Sequence, residues 1–234
     1  MRAKEIIRAG LAALTMTLLG ILAGPAPAAI VFTPGNNPQP DEENILFGDK
    51  ETGALLTGQT KGSLVSVYFS SLTSQTLNQA AKGQADIQKD GGGLLDSLRI
   101  TTVPDSGTAY GFGDFIMNLQ GGSSGSQASI DVFYHDDFNN TDTSTNYTFP
   151  TSGDLGNGSN FLTIVANNGD YMTKIEITMI TGGWSDFKQP RISGVCEIGS
   201  TGCGLVPIPE PASLALVASA AAFTGWFARR RRNS

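Results

Sequence analysis

Apolar and polar residues alternate strictly over residues 174–179, and this pattern constrains the fold more than any other in the chain. The three apolar side chains of this run fall on one side of an extended backbone, and the three polar ones fall on the other. A strand of this kind has one face in a core and one face in water. The pattern predicts an antiparallel sheet with one buried face.

Further short runs rich in β-branched and aromatic residues predict more strands. Gly, Asn and Asp separate these runs, as strand connections require, and the chain contains 29 Gly. The predicted strands are 64–69, 85–88, 94–103, 113–120, 128–135, 161–166, 171–180 and 191–197. We expect a hairpin between 161–166 and 171–180, because the Asn168-Gly169 step readily adopts positive φ. This pattern predicts an all-β fold, a β-sandwich and most simply a jelly roll, over residues 30–204.

The first 29 residues have the three-part layout of a secretory signal peptide. A basic start precedes an apolar run over 11–23, which is too short to span a bilayer comfortably. Ala26 and Ala28 then supply the small side chains that a signal peptidase needs. We predict a signal helix that is cleaved near Ala28 or Ala29, and a retained N-terminal anchor is the alternative.

The last segment, 205–234, contains three parts in a fixed order. A proline-rich stretch over 206–211 cannot extend a sheet and stays exposed. An uncharged apolar stretch of 17 residues follows over 212–228, and as a helix it would span about 25 Å, close to the thickness of a thin bilayer. The four arginines that end the segment are expected to stay on the cytoplasmic side, which predicts a single transmembrane helix with the domain outside. These are Arg229, Arg230, Arg231 and Arg232.

This order of segments resembles the PEP-CTERM sorting signal of Gram-negative bacteria that make exopolysaccharide. The resemblance implies that Pro209, Glu210 and Pro211 form the recognition tripeptide of an exosortase-like enzyme. It also implies export across the inner membrane, a transient membrane anchor, and then release to the cell surface or the medium. Ile208 departs from the commoner pattern, in which valine directly precedes the tripeptide. An ordinary single-span tail anchor is the alternative.

A second resemblance concerns the end of the predicted domain. The stretches 160–163, 182–184 and 189–195 resemble the closing strands of jelly-roll domains found in many PEP-CTERM proteins. The resemblance implies a fold, and it names no ligand.

The predicted domain is strongly acidic. Residues 30–206 contain eight Lys or Arg against 19 Asp or Glu, which leaves a net charge of −11. Nucleic-acid binding requires clustered cations, so we exclude nucleic acid as a partner. The charge is compatible with a solvated extracellular surface or with divalent cations.

Two cysteines, Cys196 and Cys203, lie near the end of the domain. In an exported chain their spacing favours a disulfide, and two free thiols are the alternative. A zinc site lacks ligands, because the single histidine of the chain, His135, is distant in sequence.

The densest polar cluster, 135–142, is the candidate for a calcium site. Asp136, Asp137, Asn139 and Asp142 offer the carboxylate and amide oxygens that calcium collects. The cluster lacks the central Gly and closing Glu of an EF-hand, and a solvated hairpin tip is the alternative. The acidic residues 41–43 could join such a site only if the fold brings them near.

Aromatic residues next to carboxylates are candidates for carbohydrate binding, since an exposed ring covers a sugar face and a carboxylate accepts from its hydroxyls. Trp184 with Asp186 is the main pair. Tyr110 with Asp114 is a second pair, and Tyr147 is a further candidate aromatic residue. Each aromatic has an alternative interpretation as a core or strand-edge residue.

Catalytic motifs are absent from the sequence. It has one histidine, no Gly-x-Ser-x-Gly elbow, no phosphate loop and no dinucleotide fingerprint. We therefore expect no enzyme and no cofactor apart from the candidate calcium. The resemblance implies a non-catalytic surface or extracellular-matrix protein linked to exopolysaccharide or biofilm. A carbohydrate-binding module is the alternative, followed by a secreted hydrolase.

Overall fold

The structure, a computed structural model, describes most of the predicted β domain. It covers residues 29–80, 82–103, 107–121, 125–137, 139–151, 155–156, 158–200 and 203. Nearly all of the predicted signal peptide over 1–29 lies outside these residues. The whole segment 205–234, with its tripeptide, apolar stretch and arginines, also lies outside them.

The described part of the chain is all-β, as the sequence predicts, and it holds seventeen strands where about eight were expected. In chain order the strands are β1 Ile30–Pro34, β2 Glu43–Phe47, β3 Thr52–Gly53, β4 Leu55–Thr60, β5 Ser66–Ser70, β6 Leu77–Gln79, β7 Gly83–Gln84, β8 Asp86–Lys89, β9 Ser97–Thr101, β10 Tyr110–Gly111, β11 Asp114–Gly121, β12 Gln127–Asp136, β13 Thr141–Phe149, β14 Asn160–Ala166, β15 Tyr171–Thr181, β16 Trp184–Ser193 and β17 Cys196–Glu197.

The strands form two sandwich-like layers with antiparallel pairing throughout. The first layer has the order β1-β14-β11-β16, with β8, β6 and β3 continuing from β16. The second has the order β4-β5-β9-β15-β12-β13. Strand β2 pairs with both β16 and β4 and so joins the two layers. Strands β10 and β17 form a separate small pair.

Aromatic side chains from the two layers meet in the core. Phe69 of β5 lies 6.0 Å from Phe187 of β16, measured between ring centroids, and both are fully buried. At the other end of the sheets, Phe32 of β1 stacks on Tyr147 of β13 at 4.6 Å. Each buried aromatic or aliphatic side chain contributes roughly 1.5–3 kcal/mol by leaving water. The core therefore holds the two layers face to face.

The alternation over 174–179 is confirmed in β15. Ile175 and Ile177 are completely buried, whereas Thr178 is exposed. Lys174 and Glu176 lie on the outer face and form an ion pair at 3.0 Å. One face of this strand thus belongs to the core and the other to solvent.

The predicted hairpin between 161–166 and 171–180 is wrong. Both segments are strands, β14 and β15, but β14 pairs with β1 and β11 whereas β15 pairs with β9 and β12. Asn168 and Gly169 do have positive φ, 61° and 88°. The turn between the strands is therefore tight, but it carries the chain from one layer to the other, because each strand finds its partners in a different sheet.

The acidic segment 41–43 is fastened to the first layer and to a nearby turn. Arg191 of β16 donates to Glu42 at 2.7 Å. Glu43 accepts from the backbone N–H of Ser63 at 2.7 Å. The carboxylates of Glu42 and Glu43 thus bind residues outside the 135–142 cluster.

Candidate functional site

The outer face of the second layer carries two rows of side chains that the strand register places side by side. Because residues paired across antiparallel strands project to the same face, each row crosses the sheet from β4 to β13. The first row is Thr57, Tyr68, Thr101, Lys174, Phe133 and Ser144. The second row is Leu55, Ser70, Arg99, Glu176, Asp131 and Asn146.

Charged side chains on this face are paired with one another. Glu176 accepts from Arg99 at 2.9 Å and from Lys174 at 3.0 Å. The Lys174 ammonium also lies 3.6 Å from the centroid of the Phe133 ring, a cation–π contact worth about 0.5–1 kcal/mol at an exposed site. Asn146 donates to Asp131 at 2.7 Å. The face thus offers few unpaired charges and many hydroxyl and amide groups.

An open groove of about 560 Å³ lies at one end of this face. Its apolar lining comes from Phe133, Val103 and Ile198, and its polar lining includes Lys174 and Ser144. A smaller groove of about 260 Å³ is lined by Tyr68, Tyr110 and neighbouring residues. Mixed apolar and hydroxyl-rich grooves are suited to ligands that have both an apolar face and many hydroxyl groups.

Two tyrosines of the larger groove have raised pKa values. Burial raises the pKa of Tyr134, and the negative charges of Asp170 and Asp136 raise it further. Burial likewise raises the pKa of Tyr171, with Asp142 and Asp137 adding to the effect. Both phenols therefore remain protonated at neutral pH and can donate hydrogen bonds.

Asp170 directly precedes β15 and is only 6% exposed. Its carboxylate accepts from the backbone N–H of Asp137 at 2.9 Å. Burial raises the pKa of Asp170, and so do the charges of Asp136 and Asp137, although the hydrogen bond from Asp137 and the nearby His135 act in the opposite direction. Asp170 was missed by sequence analysis, because its contact with Asp137, next to the end of β12, depends on the long-range pairing of β12 with β15.

The contacts described for the four residues proposed for calcium join Asp136 to Asn139 and give Asp142 and Asp137 other partners. Asp136 accepts from the backbone N–H of Asn139 at 2.9 Å and from its side-chain amide at 2.6 Å. Asp142 instead contacts Nδ1 of His135 at 2.9 Å. Asp137 is exposed, and its backbone rather than its carboxylate contacts Asp170. Across the described ranges, no group of three or more His, Cys, Asp or Glu could hold a metal ion.

Trp184 lies in the core and has no exposed surface. It begins β16 and exchanges backbone hydrogen bonds with Leu95 at 2.8 and 3.1 Å. A ring without an exposed face cannot cover a sugar, so the structure corrects the expectation of a binding role for Trp184 and places it among the core aromatics. Asp186 is bound by neighbouring side chains: it accepts from Ser185 at 2.6 Å and from Gln88.

The other aromatic candidates are also separated from the carboxylates predicted to accompany them. Tyr110 pairs with Glu197 in the β10–β17 ladder and lines the smaller groove. Asp114 lies on β11, where it accepts from Ser193, and burial raises its pKa. Tyr147 stacks on Phe32 between the two sheets. Tyr110 thus borders one of the two described grooves.

Cys196 and Cys203 form a disulfide, with their Cα atoms 5.0 Å apart. Cys196 is paired with Gly111 in the β10–β17 ladder, and the backbone N–H of Ile198 donates to Ala109 at 2.9 Å. Because Ile198 lines the larger groove, the disulfide-closed segment supplies one of its walls.

The residues that line the larger groove were missed by sequence analysis. Phe133 and Lys174 lie on different strands, and only the β12–β15 register brings them together. A detectable signal was present, since both residues occupy outward positions of strands whose alternate residues are apolar.

The sorting tripeptide and the arginine cluster have no described position. Among the residues that are described, no helix is both long and apolar enough to cross a membrane. Comparison of the chain with protein-family models, with curated proteins and with solved structures finds no match.

Proposed function

We propose that the chain is an exported, non-catalytic protein of the cell surface or extracellular matrix, sorted through its C-terminal segment by an exosortase-like enzyme. The observation that carries the proposal is the ordered tail, in which Pro209-Glu210-Pro211, the apolar stretch 212–228 and the four arginines follow one another. Each part has a distinct physical role in exposure, insertion and topology.

The disulfide supports export. Disulfides form and persist outside the cytoplasm, where thiols are not kept reduced. The Cys196–Cys203 bridge closes the domain six residues before Pro209. The domain therefore ends in a cross-linked segment and the tail begins directly after it, an arrangement suited to a folded domain held outside the membrane.

The proposed fold of this domain is a jelly roll. Two antiparallel layers, a strand that joins them and a turn that crosses from one layer to the other are consistent with that architecture. The jelly roll serves many functions, so it supports a stable extracellular module and names no ligand.

Sorting is tested by replacing Pro209, Glu210 and Pro211 with alanine and following the protein in native cells. An antibody against the domain should find the variant retained in the membrane fraction, while the parent chain is released. Pro207→Ala is the matched control, because it changes a proline of the same stretch outside the tripeptide. Equal release of all three proteins would refute processing at this motif.

A second candidate function, carbohydrate binding, is favoured by the larger groove. Phe133 provides an apolar surface, Lys174 a donor, and Ser144 and Thr143 provide hydroxyl groups. The acidic domain disfavours polyanions, so a neutral polysaccharide fits best. The groove, and not Trp184, would then hold the sugar.

Affinity electrophoresis of the purified chain in gels containing xyloglucan, galactomannan or dextran tests this candidate, with alginate as the acidic contrast. Phe133→Ala should reduce retardation by a neutral polysaccharide roughly tenfold. Ile180→Ala is the control, since Ile180 is 53% exposed on β15 but does not line the groove. Equal retardation of the Phe133 variant and the parent chain would exclude the groove.

A further inference from the structure

Strand β13 stands at the end of the second layer. Its nine residues pair with β12 in an unbroken antiparallel register from Ala128↔Phe149 to Asp136↔Thr141. In the described part of the chain, no strand pairs with its other side. One side of β13 therefore presents backbone N–H and C=O groups that a further strand could use.

This edge lacks the features that usually prevent strands from pairing. The opposite end of the sheet order is β1, which has only five residues and ends at Pro34. Strand β13 is longer, contains four threonines, and has no proline, lysine or bulge. Threonine favours extended structure, whereas proline and lysine at an edge discourage pairing.

The charge of β13 differs from that of the rest of the domain. Residues 30–206 have a net charge of −11, but Asp142 is the single acidic residue of β13. Asp142 also contacts His135 of β12 at 2.9 Å. Two copies of the domain that meet along β13 would thus experience less repulsion than along a more acidic surface.

We propose that β13 pairs antiparallel with β13 of a second copy of this chain. A twofold axis at Thr145 places Ser144 opposite Asn146 and Asp142 opposite Thr148, so that like charges do not face each other. A parallel in-register pair would instead place Asp142 opposite Asp142. The pairing extends the second layer across two molecules, and it does not depend on whether the tail is cut.

An interface made of one strand from each copy is small, and the dimer is therefore weak and concentration-dependent. Crowding of many copies at a surface or in a matrix would favour it by mass action. Its test is the oligomeric state of the chain recovered from the native cell, measured by sedimentation velocity over a range of concentrations at low salt.

The decisive variants place like charges on the edge. Ser144→Lys with Asn146→Lys puts lysines opposite lysines across the proposed axis and should abolish dimers at low salt, with recovery near 1 M salt, where the screening length is about 3 Å. Ser144→Asp with Asn146→Asp should act in the same way. A mixture of the two variants should restore pairing, because lysine then faces aspartate.

The matched control is Thr57→Lys with Gln59→Lys. These residues are exposed, have the same spacing and add the same charge, but β4 is not at the end of its layer: it pairs with β5 from Leu55 to Gln59 and with β2 at Gln59 and Thr60. The control should dimerise like the parent chain, and thermal unfolding should show that all variants are folded. A monomeric parent chain at every concentration, or a mixture that does not pair, would overturn the proposal.

Discussion

The Cys196–Cys203 disulfide closes the domain at the point where its described residues end, with a Cα–Cα separation of 5.0 Å. Cys196 is fixed to Gly111 through the β10–β17 ladder. The bridge thus fastens the last residues of the domain to the sheet structure and to one wall of the larger groove.

Removal of this disulfide should lower the free energy of unfolding. The Cys196→Ser and Cys203→Ser double variant is expected to lose about 2–3 kcal/mol, because a short closed loop no longer restricts the unfolded chain. Urea denaturation of the parent and variant chains measures the difference. Reductant should lower the stability of the parent to that of the variant and leave the variant unchanged. If the oxidised parent and the variant are equally stable, the disulfide does not stabilise the domain.

Trp184 should behave as a core residue. Trp184→Ala is expected to cost about 3–5 kcal/mol through loss of packing. Its indole Nε1 has no hydrogen-bond partner among the described residues, so Trp184→Phe should cost less than about 2 kcal/mol. Urea denaturation checks both values. If both variants lose the same free energy of unfolding, the volume that Trp184 fills in the core does not determine its contribution to stability.

Asp170 should make stability depend on pH. Because burial raises its pKa in the folded state, the folded chain binds the proton more tightly than the unfolded chain, and stability falls as the pH rises above about 4. Asp170→Asn keeps an acceptor for the Asp137 N–H and removes the charge. Its free energy of unfolding should therefore decline less between pH 4 and pH 7.

The control for this variant is Asp90→Asn, on an exposed turn. Asp86 and Asp114 also have raised pKa values and remain in both variants, so part of the pH dependence should persist. Urea denaturation at several pH values gives the comparison. If the free energy of unfolding of Asp170→Asn declines with pH as steeply as that of the parent, Asp170 is not a source of the pH dependence.

Calcium should not bind through the 135–142 cluster, since Asp136 and Asp142 are already engaged by Asn139 and His135. Titration calorimetry of the parent chain with calcium chloride, repeated with Asp136→Ala and Asp137→Ala, measures this. We expect the heat of calcium addition to be the same for the parent chain and for both variants. Binding heat that disappears in both variants would establish the loop as a calcium site.

The all-β class was predictable because the buried strands show a pattern of apolar residues in their own sequence. In β15 the buried Ile175 and Ile177 alternate with polar residues, and the pattern matches the structure. Strand β13 was missed because its residues are mostly exposed Thr, Ser and Asn, so no apolar alternation marks it. A polar edge strand is defined by its partner β12 rather than by its own side chains.

The pairing of strands was harder to predict than their existence. The Asn168-Gly169 step indicates a tight turn, but the same turn serves a hairpin and a crossing between layers. The choice depends on distant partners such as Val31, which pairs with Val165. For the same reason, the groove that combines Phe133 with Lys174 could not be predicted from local patterns, and the burial of Trp184 became evident only in the folded chain.

The most direct test of export and sorting is the intact mass of the mature protein from native cells, compared between surface and released fractions. We predict the loss of residues up to about Ala28 or Ala29 and of the segment that follows the Pro209-Glu210-Pro211 motif. Additional mass at the new C-terminus would identify an attached group. A mature chain that still carries residues 212–234 in both fractions would contradict processing and would make the apolar stretch a permanent anchor.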